Sequence, residues 1–332
     1  MSIAVRSFAK INLGLKIGPV RTDGFHELRT IYQTLALHDV VRVEVQPGSG
    51  IEIRCNDPRV PLDESNTCYK AADRVLKAAK ASAKVIVQID KRLPVQGGMG
   101  AGSSNAVTTM LGLERALETR ISDEDKMRIA AEVGSDVPLF LIGGTVLGIG
   151  HGEEVYPLPD LPCMHLVVVT PPIAVSTPKA FAHWDELVAR ESELTGAGAT
   201  GTINKFSQAV YAWLSESVFS RAVSASEPAS GVPAVGGDRA ETPLLDLVRA
   251  GIENDFERVV FPEYPDLREV KRVLQREGAR YASLSGSGST LYGLFGSGEE
   301  AQAAAARMSA AGHAAIATTT LTRDEYWQQM FA

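Results

Sequence analysis

The 332-residue chain is 45% hydrophobic, 22% charged and 6% aromatic, a composition that excludes a disordered protein or a coiled coil and supplies apolar residues for two globular cores. Its net charge of −7 provides no long-range attraction for nucleic acid or an anionic membrane, so neither is expected as a partner, and phosphates on a ligand must be met locally. Cys55, Cys68 and Cys163 are odd in number, widely spaced and without a C-x-x-C pattern, which argues against a zinc site or disulfide framework and predicts a cytoplasmic protein.

The start, MSIAVRSFAKINLGL, has no apolar core before a small-residue cleavage site. The most apolar later stretch, 137–150, is shorter than the ~20 residues of a spanning helix, so no membrane insertion is expected. Strand-like runs follow in order, VRSFAKINLGLKIG, VVRVEVQP, IEIRCN and KVIVQI, each rich in β-branched residues and bounded by turn formers. Between them, Ala72, Val75, Leu76 and Ala79 predict a helix over 66–80, with Asn66 as a candidate N-cap. After a glycine-rich loop, Ala106, Val107, Met110, Leu111, Leu113 and Leu117 predict a second helix, capped by Ser103 or Ser104. Residues 127–133 form a shorter helix ending at Gly134. Two apolar runs, VPLFLIGGTVLGIG and LVVVTPP, read as strands separated by a polar turn, HGEEVYPLPD. A boundary near Tyr156 divides the chain into domains 1–156 and 157–332. Downstream, helical patterns at 205–217, 244–250 and 267–277 precede the strands YASLSG and TLYGLFG, an Ala-rich helix and HAAIATTTL, an α+β order. Residues 221–243, rich in Pro, Gly and small residues, read as an irregular surface insertion.

The loop LPVQGGMGAGSSNAVTTM carries Gly97, Gly98, Gly100 and Gly102 immediately before a helix. Such glycines let the backbone approach a ligand closely, and a helix start presents unpaired N–H groups and a positive dipole end to an anion. A phosphate cradle and a plain strand-to-helix turn both fit. No Gly-Lys-Ser/Thr follows, so it is not a Walker A loop, and Ser103 stands where the dinucleotide fingerprint has its last glycine.

The run from Pro94 to Ala106, a proline followed by glycines and then Gly-Ser-Ser, resembles the central motif of the GHMP kinases, with Gln96 departing from the glycine usual there. Residues 9–39 (AKINLGLKIGPVRTDGFHELRTIYQTLALHD), 134–159 and 284–295 (LSGSGSTLYGLF) extend the resemblance along nearly the whole chain, except for about 188–242. They are similar to the branch of the family that phosphorylates a cytidine diphospho-methylerythritol in the methylerythritol phosphate route to isoprenoid precursors. The resemblance implies an α+β, two-domain fold, with an N-terminal ribosomal-S5-like domain and a C-terminal ferredoxin-like domain around a cleft. It also implies ATP as donor and Mg2+ as its companion ion, in a protein that is a monomer or weak homodimer.

The resemblance assigns roles beside ordinary alternatives. Lys10, which alone reads as a snorkelling edge lysine, becomes the cation near the transferring phosphoryl group. Asp136, otherwise a turn cap, becomes the general base that accepts the acceptor's hydroxyl proton, kept ionised by Lys10. Phe25 and Phe181 are implied to stack on the two faces of cytosine, with His26 at the base edge, Thr177 close by and Asn12 near the methylerythritol. Asn66 lies beside adenine in this reading, and Pro94, Gly97, Gly98, Gly100, Gly102, Ser103 and Ser104 bind ATP, the serines offering N–H and hydroxyl groups to its phosphates or Mg2+. Gly286, Ser287 and Gly288, otherwise a hairpin turn, close the active site. A GHMP kinase for another small alcohol, or a non-catalytic nucleotide-binding protein on the same fold, are the alternatives.

Overall fold

The computed structural model describes residues 2–95, 97–195, 203–204, 206–208, 210–211 and 253–331. Gln96, the expected insertion at 221–243, the helix expected over 244–250 and much of that expected over 205–217 lie outside the described residues.

The first half is built on β1 (Ser2–Val20), β2 (His26–Gln46), β3 (Gly50–Cys55), β4 (Lys84–Asp90), β5 (Thr145–Ile149) and β6 (Glu154–Pro157). Long β2 organises this six-stranded sheet, pairing with β1 along its length, with β4 over 40–46 and with β5 over 30–33. Side-chain alternation decides which face is buried. Val41 and Val43 point inward with Val85, Val87 and Ile89 of β4, whereas Arg42 is exposed. Helices α1 (Thr67–Ala78), α2 (Ala101–Ala116) and α3 (Asp123–Val133) cover that face, contributing Ala72, Val75, Met110, Leu113 and Ile129 to one core.

The second half contains β7 (His165–Val169), β8 (Tyr281–Leu284), β9 (Leu291–Phe295) and β10 (Ala315–Thr319) in the antiparallel order β10-β7-β9-β8. Helices α4 (Thr177–Thr195), α5 (Glu257–Glu263) and α6 (Pro265–Arg276) lie between its first and second strands, and α7 (Gly298–Ala310) between its third and fourth. This is a βαββαβ, ferredoxin-like arrangement. A further core forms between the halves, where Ile11, Leu13, Ile31 and Leu35 meet Leu166, Val168, Tyr292 and Leu294. Backbone bonds from Leu15 N–H to Glu253 O, from Asp255 N–H to Leu15 O and from Leu321 N–H to Thr34 O tie the halves together. The last helix, α8 (Arg323–Met330), opens with a capping box formed by Thr322 and Glu325. It returns to the first half, burying Tyr326 and Met330 with Val5, Phe8 and Phe140.

Several expectations are corrected. The run 137–150 is not one strand, because Pro138–Leu141 is a 3-10 helix and only Thr145–Ile149 extends. Gly143 and Gly144, at φ +72° and +69°, turn the chain between them. The supposed polar turn contains β6. Helix α4 was hidden by Ser-Thr-Pro, which reads as a turn, although proline is tolerated in a first helical turn.

Candidate active site

The glycine loop is anchored before it begins. Asp39, fully buried on β2, accepts hydrogen bonds from the backbone N–H groups of Arg92 and Leu93 through Oδ1 and from Lys91 Nζ through Oδ2, each at 2.7 Å. A buried carboxylate is tolerated when paired and multiply hydrogen-bonded, and here its donors are the three residues leading into Pro94. Asp39→Asn places an amide donor against Lys91, so the KM for ATP is expected to rise by about tenfold with loss of roughly one charge-assisted hydrogen bond. Initial rates at varied ATP check this, and an unchanged KM removes Asp39 from the support of the loop.

Beyond Pro94 the loop is held from both sides. Lys10 N–H donates to Met99 O (3.0 Å), Ser285 Oγ–H to Gly98 O (3.1 Å) and Thr290 N–H to Gly97 O (3.1 Å). Gly98 is at φ +84°, and a Cβ there would lie 2.5 Å from Ser285 O. The β8–β9 turn, carrying Gly286, Ser287 and Gly288, therefore approaches the loop backbone to a distance that only glycine allows. A Cβ on Gly288 would likewise lie 2.8 Å from Gly97 O.

Gly100, at φ +68°, is the N-cap of α2, not Ser103 or Ser104. The left-handed glycine starts the helix earlier than the hydroxyls suggest, leaving both serines in its first turn. Ser104 is fully buried, donates its N–H to Gly100 O and accepts from Ser7 Oγ at 2.8 Å, so its hydroxyl is committed to the core. Ser103 remains half-buried at the helix start, where first-turn N–H groups lack intrahelical partners. A cavity of about 360 Å³ runs along the loop, lined by Asn66, Pro94, Gly97, Gly98, Gly100, Gly102 and Ser103. Asn66 caps α1, its Oδ1 accepting from Cys68 N–H at 2.8 Å and its Nδ2 donating to Pro61 O at 2.6 Å.

Lys10 and Asp136 meet in the neighbouring wall. The β1–β2 ladder shifts between Phe8 and Lys10, which frees the Lys10 N–H for the loop. Lys10 Nζ lies 3.2 Å from Asp136 Oδ2 and donates to Asn12 Oδ1 at 2.7 Å. The lysine side chain is 3% exposed and that of Asp136 34%, so the carboxylate is reachable while its cation is shielded. Asn12 Nδ2 donates to Thr30 Oγ1 at 2.8 Å, which fixes the amide orientation. Tyr32 OH donates to Asp136 Oδ1 at 3.0 Å. Burial, then the Asp136 charge, push the Tyr32 phenol well above its ordinary pKa, so it stays a donor.

A second cavity, about 740 Å³, is lined by Lys10, Asn12, Asp136, Phe25, His26, Thr177, Phe181, Gly286 and Ser287. Gly98 belongs to the walls of both cavities, so the loop separates and joins them. Phe25 is 60% exposed, its ring 5.2 Å from His151. Phe181 lies parallel to His26 at 4.8 Å and edge-on to Phe256. His26 Nε2 is 2.7 Å from Asp185 Oδ1. Thr177 Oγ1 and Ser287 Oγ are 2.7 Å apart, linking the start of α4 to the β8–β9 turn. Asn254 secures that turn, its Nδ2 donating to Leu284 O and Gly286 O at 2.8 Å each. Among the described residues, no group of three His, Cys, Asp or Glu side chains forms a metal cluster.

Tyr32, Asp39, Asp185, Asn254 and Ser285 are absent from the sequence-derived site. Tyr32 was within reach, since it pairs directly with Asn12 across β1 and β2 and paired residues share a face.

Residues 66–144 match the model of the GHMP kinases N terminal domain, and 241–314 that of the GHMP kinases C terminal domain. A clamped glycine loop beside a lysine–aspartate pair thus sits on the fold of a GHMP kinase, an ATP-using phosphotransferase. The 4-diphosphocytidyl-2-C-methyl-D-erythritol kinase of Solibacter usitatus is 36% identical over 292 residues, 88% of this chain and 80% of that one. The enzyme of the same name from Acaryochloris marina is 32% identical over 304 residues, 91% of this chain and 90% of that one. A crystal structure of 4-(cytidine 5'-diphospho)-2C-methyl-D-erythritol kinase superposes with a TM-score of 0.69 at 28% identity, covering 96% of this chain and 99% of that one. The chain belongs to the 4-diphosphocytidyl-2-C-methyl-D-erythritol kinase family of the GHMP kinases.

Proposed function

We propose that the protein transfers the γ-phosphoryl group of ATP to the C2 hydroxyl of 4-diphosphocytidyl-2-C-methyl-D-erythritol. The observation that carries this reading is the Lys10–Asp136 pair, 3.2 Å apart, in a cavity that shares Gly98 with the loop cavity. ATP lies with its phosphates against Gly97, Gly98, Gly100, Gly102 and the Ser103 N–H, with adenine toward Asn66 and Pro94. The acceptor hydroxyl sits between Asp136 and Lys10. Its oxygen bonds to the γ-phosphorus as the bond to the β–γ bridging oxygen breaks, and its proton passes to Asp136. Lys10 stabilises negative charge on the transferring oxygens. Asn12 steadies Lys10 and contacts the methylerythritol, and Gly286, Ser287 and Gly288 close over the loop.

Mg2+ in such sites is held mainly by substrate phosphates and water, with few protein ligands. Ser103, which lines the loop cavity at the start of α2, would be the hydroxyl offered to it, and the ion would supply charge neutralisation on the phosphates. The cytidine end lies among Phe25, His26, Phe181 and Thr177. The protein works in the cytoplasm, a reading supported by its unpaired cysteines, and we take it to act as a monomer or weak homodimer.

The test is ADP release with MgATP and the cytidine substrate, run beside mevalonate, homoserine and galactose. Turnover with the cytidine substrate is expected, and turnover only with another alcohol sinks the reading. Phe181→Ala is expected to raise the KM for the cytidine substrate by about tenfold, as for loss of one stacked aromatic, with the KM for ATP unmoved. An unchanged acceptor KM removes Phe181 from the base site.

A further inference from the structure

We infer that Tyr32 is the positioning residue of the phosphoryl-transfer centre, holding the Oδ1 of Asp136 so that Oδ2 stays directed at Lys10 and the acceptor hydroxyl. The inference rests on the reading of Asp136 as the base. Asp136 lies in the turn after α3, and its 34% exposure leaves it room to rotate away from Lys10. Two groups restrain it, one on each oxygen: Lys10 Nζ at 3.2 Å from Oδ2 and Tyr32 OH at 3.0 Å from Oδ1. The lysine must also serve the phosphoryl oxygens, so the tyrosine is the restraint that persists through the reaction.

The fold prepares a place for this phenol. Tyr32 lies in the central strand β2, paired with Asn12 on one side and Val146 on the other, and is 3% exposed. A Cβ at Gly148 would lie 2.5 Å from Tyr32 Cε2, and one at Gly152 would lie 2.6 Å from its hydroxyl oxygen. Glycine at both positions therefore makes room for the ring and for its hydroxyl. Lys10 Nζ also sits 5.4 Å from the ring centroid, so the same aromatic group borders both members of the pair. Other ionisable groups around the centre are His151, whose Nδ1 is 3.0 Å from Ser135 Oγ and 3.0 Å from Glu153 Oε2, Glu153 itself, and across the cavity the His26–Asp185 pair.

Tyr32→Phe keeps the ring and removes the hydroxyl, so the variant is expected to fold and melt as the parent does. Its kcat is expected to fall by about five- to tenfold, the size of one hydrogen bond to a charged group, while the KM values for ATP and for the cytidine substrate stay within about twofold. A purely structural tyrosine would lower the melting temperature or raise KM, and would not lower kcat alone at parental stability and KM. An unchanged kcat overturns the inference, as does a loss that appears only as raised KM. Asp136→Asn, assayed alongside, separates the two readings: activity retained there removes the base and this inference with it. Activity lost there while Tyr32→Phe matches the parent removes Tyr32 alone.

Discussion

Asp136→Asn is expected to lower kcat by about a thousandfold, within the range that a positioned general base contributes, and to leave ATP binding intact. Asparagine has the shape of aspartate and can still accept from Tyr32, but it takes no proton from the acceptor. Its amide group also faces the Lys10 ammonium, where the parent has an ion pair at 3.2 Å. The nucleotide cavity is bounded by the loop and α1, not by Asp136. ADP should therefore raise the melting temperature of the variant as it does that of the parent. Single-turnover phosphoryl transfer measures the first effect and calorimetric titration the second. A variant retaining more than about a tenth of parental kcat would show that proton acceptance is not the task of Asp136.

Gly98→Ala is expected to reduce kcat/KM for ATP by about a hundredfold, a loss of roughly 3 kcal/mol in transition-state stabilisation. Two costs combine. The first is conformational, since a residue with a Cβ held in the left-handed region at φ +84° is strained by about 1–2 kcal/mol. The second is steric, because the new methyl lies 2.5 Å from Ser285 O and the β8–β9 turn must retreat. That turn carries Gly286, whose own Cβ would be 3.2 Å from Asn12 Oδ1, and Ser287, bonded to Thr177. One methyl group therefore loosens the phosphate cradle and the acceptor wall together. The same change at Gly102, where the nearest atom is Thr67 Oγ1 at 3.6 Å, should leave the melting temperature close to the parent's. Equal melting temperatures for the two variants would sink this account of the clamp.

What could be read from the sequence was what depends on local chemistry. Asn66 begins a helix and caps it, and the alternating valines of β2 and β4 occupy the buried face. The glycine loop could be recognised because its residue types answer a backbone demand that no others meet. Ser103 and Ser104 misled for a related reason: a hydroxyl before a helix usually caps it, yet Gly100 in the left-handed region started the helix first. Asp39 was invisible as a support because its three partners, Lys91, Arg92 and Leu93, are some fifty residues distant. The parallel pairing of Phe181 with His26 was illegible for the same reason, since it depends on how α4 crosses the start of β2. Long-range side-chain pairing leaves no periodic trace in a chain, and it supplies most of the centre's precision.

The return of α8 to the first half has a consequence for how the molecule is made. Tyr326 OH donates to Phe140 O at 2.7 Å, and Phe140 in turn lies where a side chain on Gly100 would strike it, beside Lys10. A nascent polypeptide leaves the ribosome with its N-terminus first, so Val5, Phe8 and Phe140 wait with an uncovered apolar face until Thr322 and the helix after it have been released. The wall behind the phosphate loop is thus the last part of the first half to be closed, and it is complete only once α8 has been released to cover it.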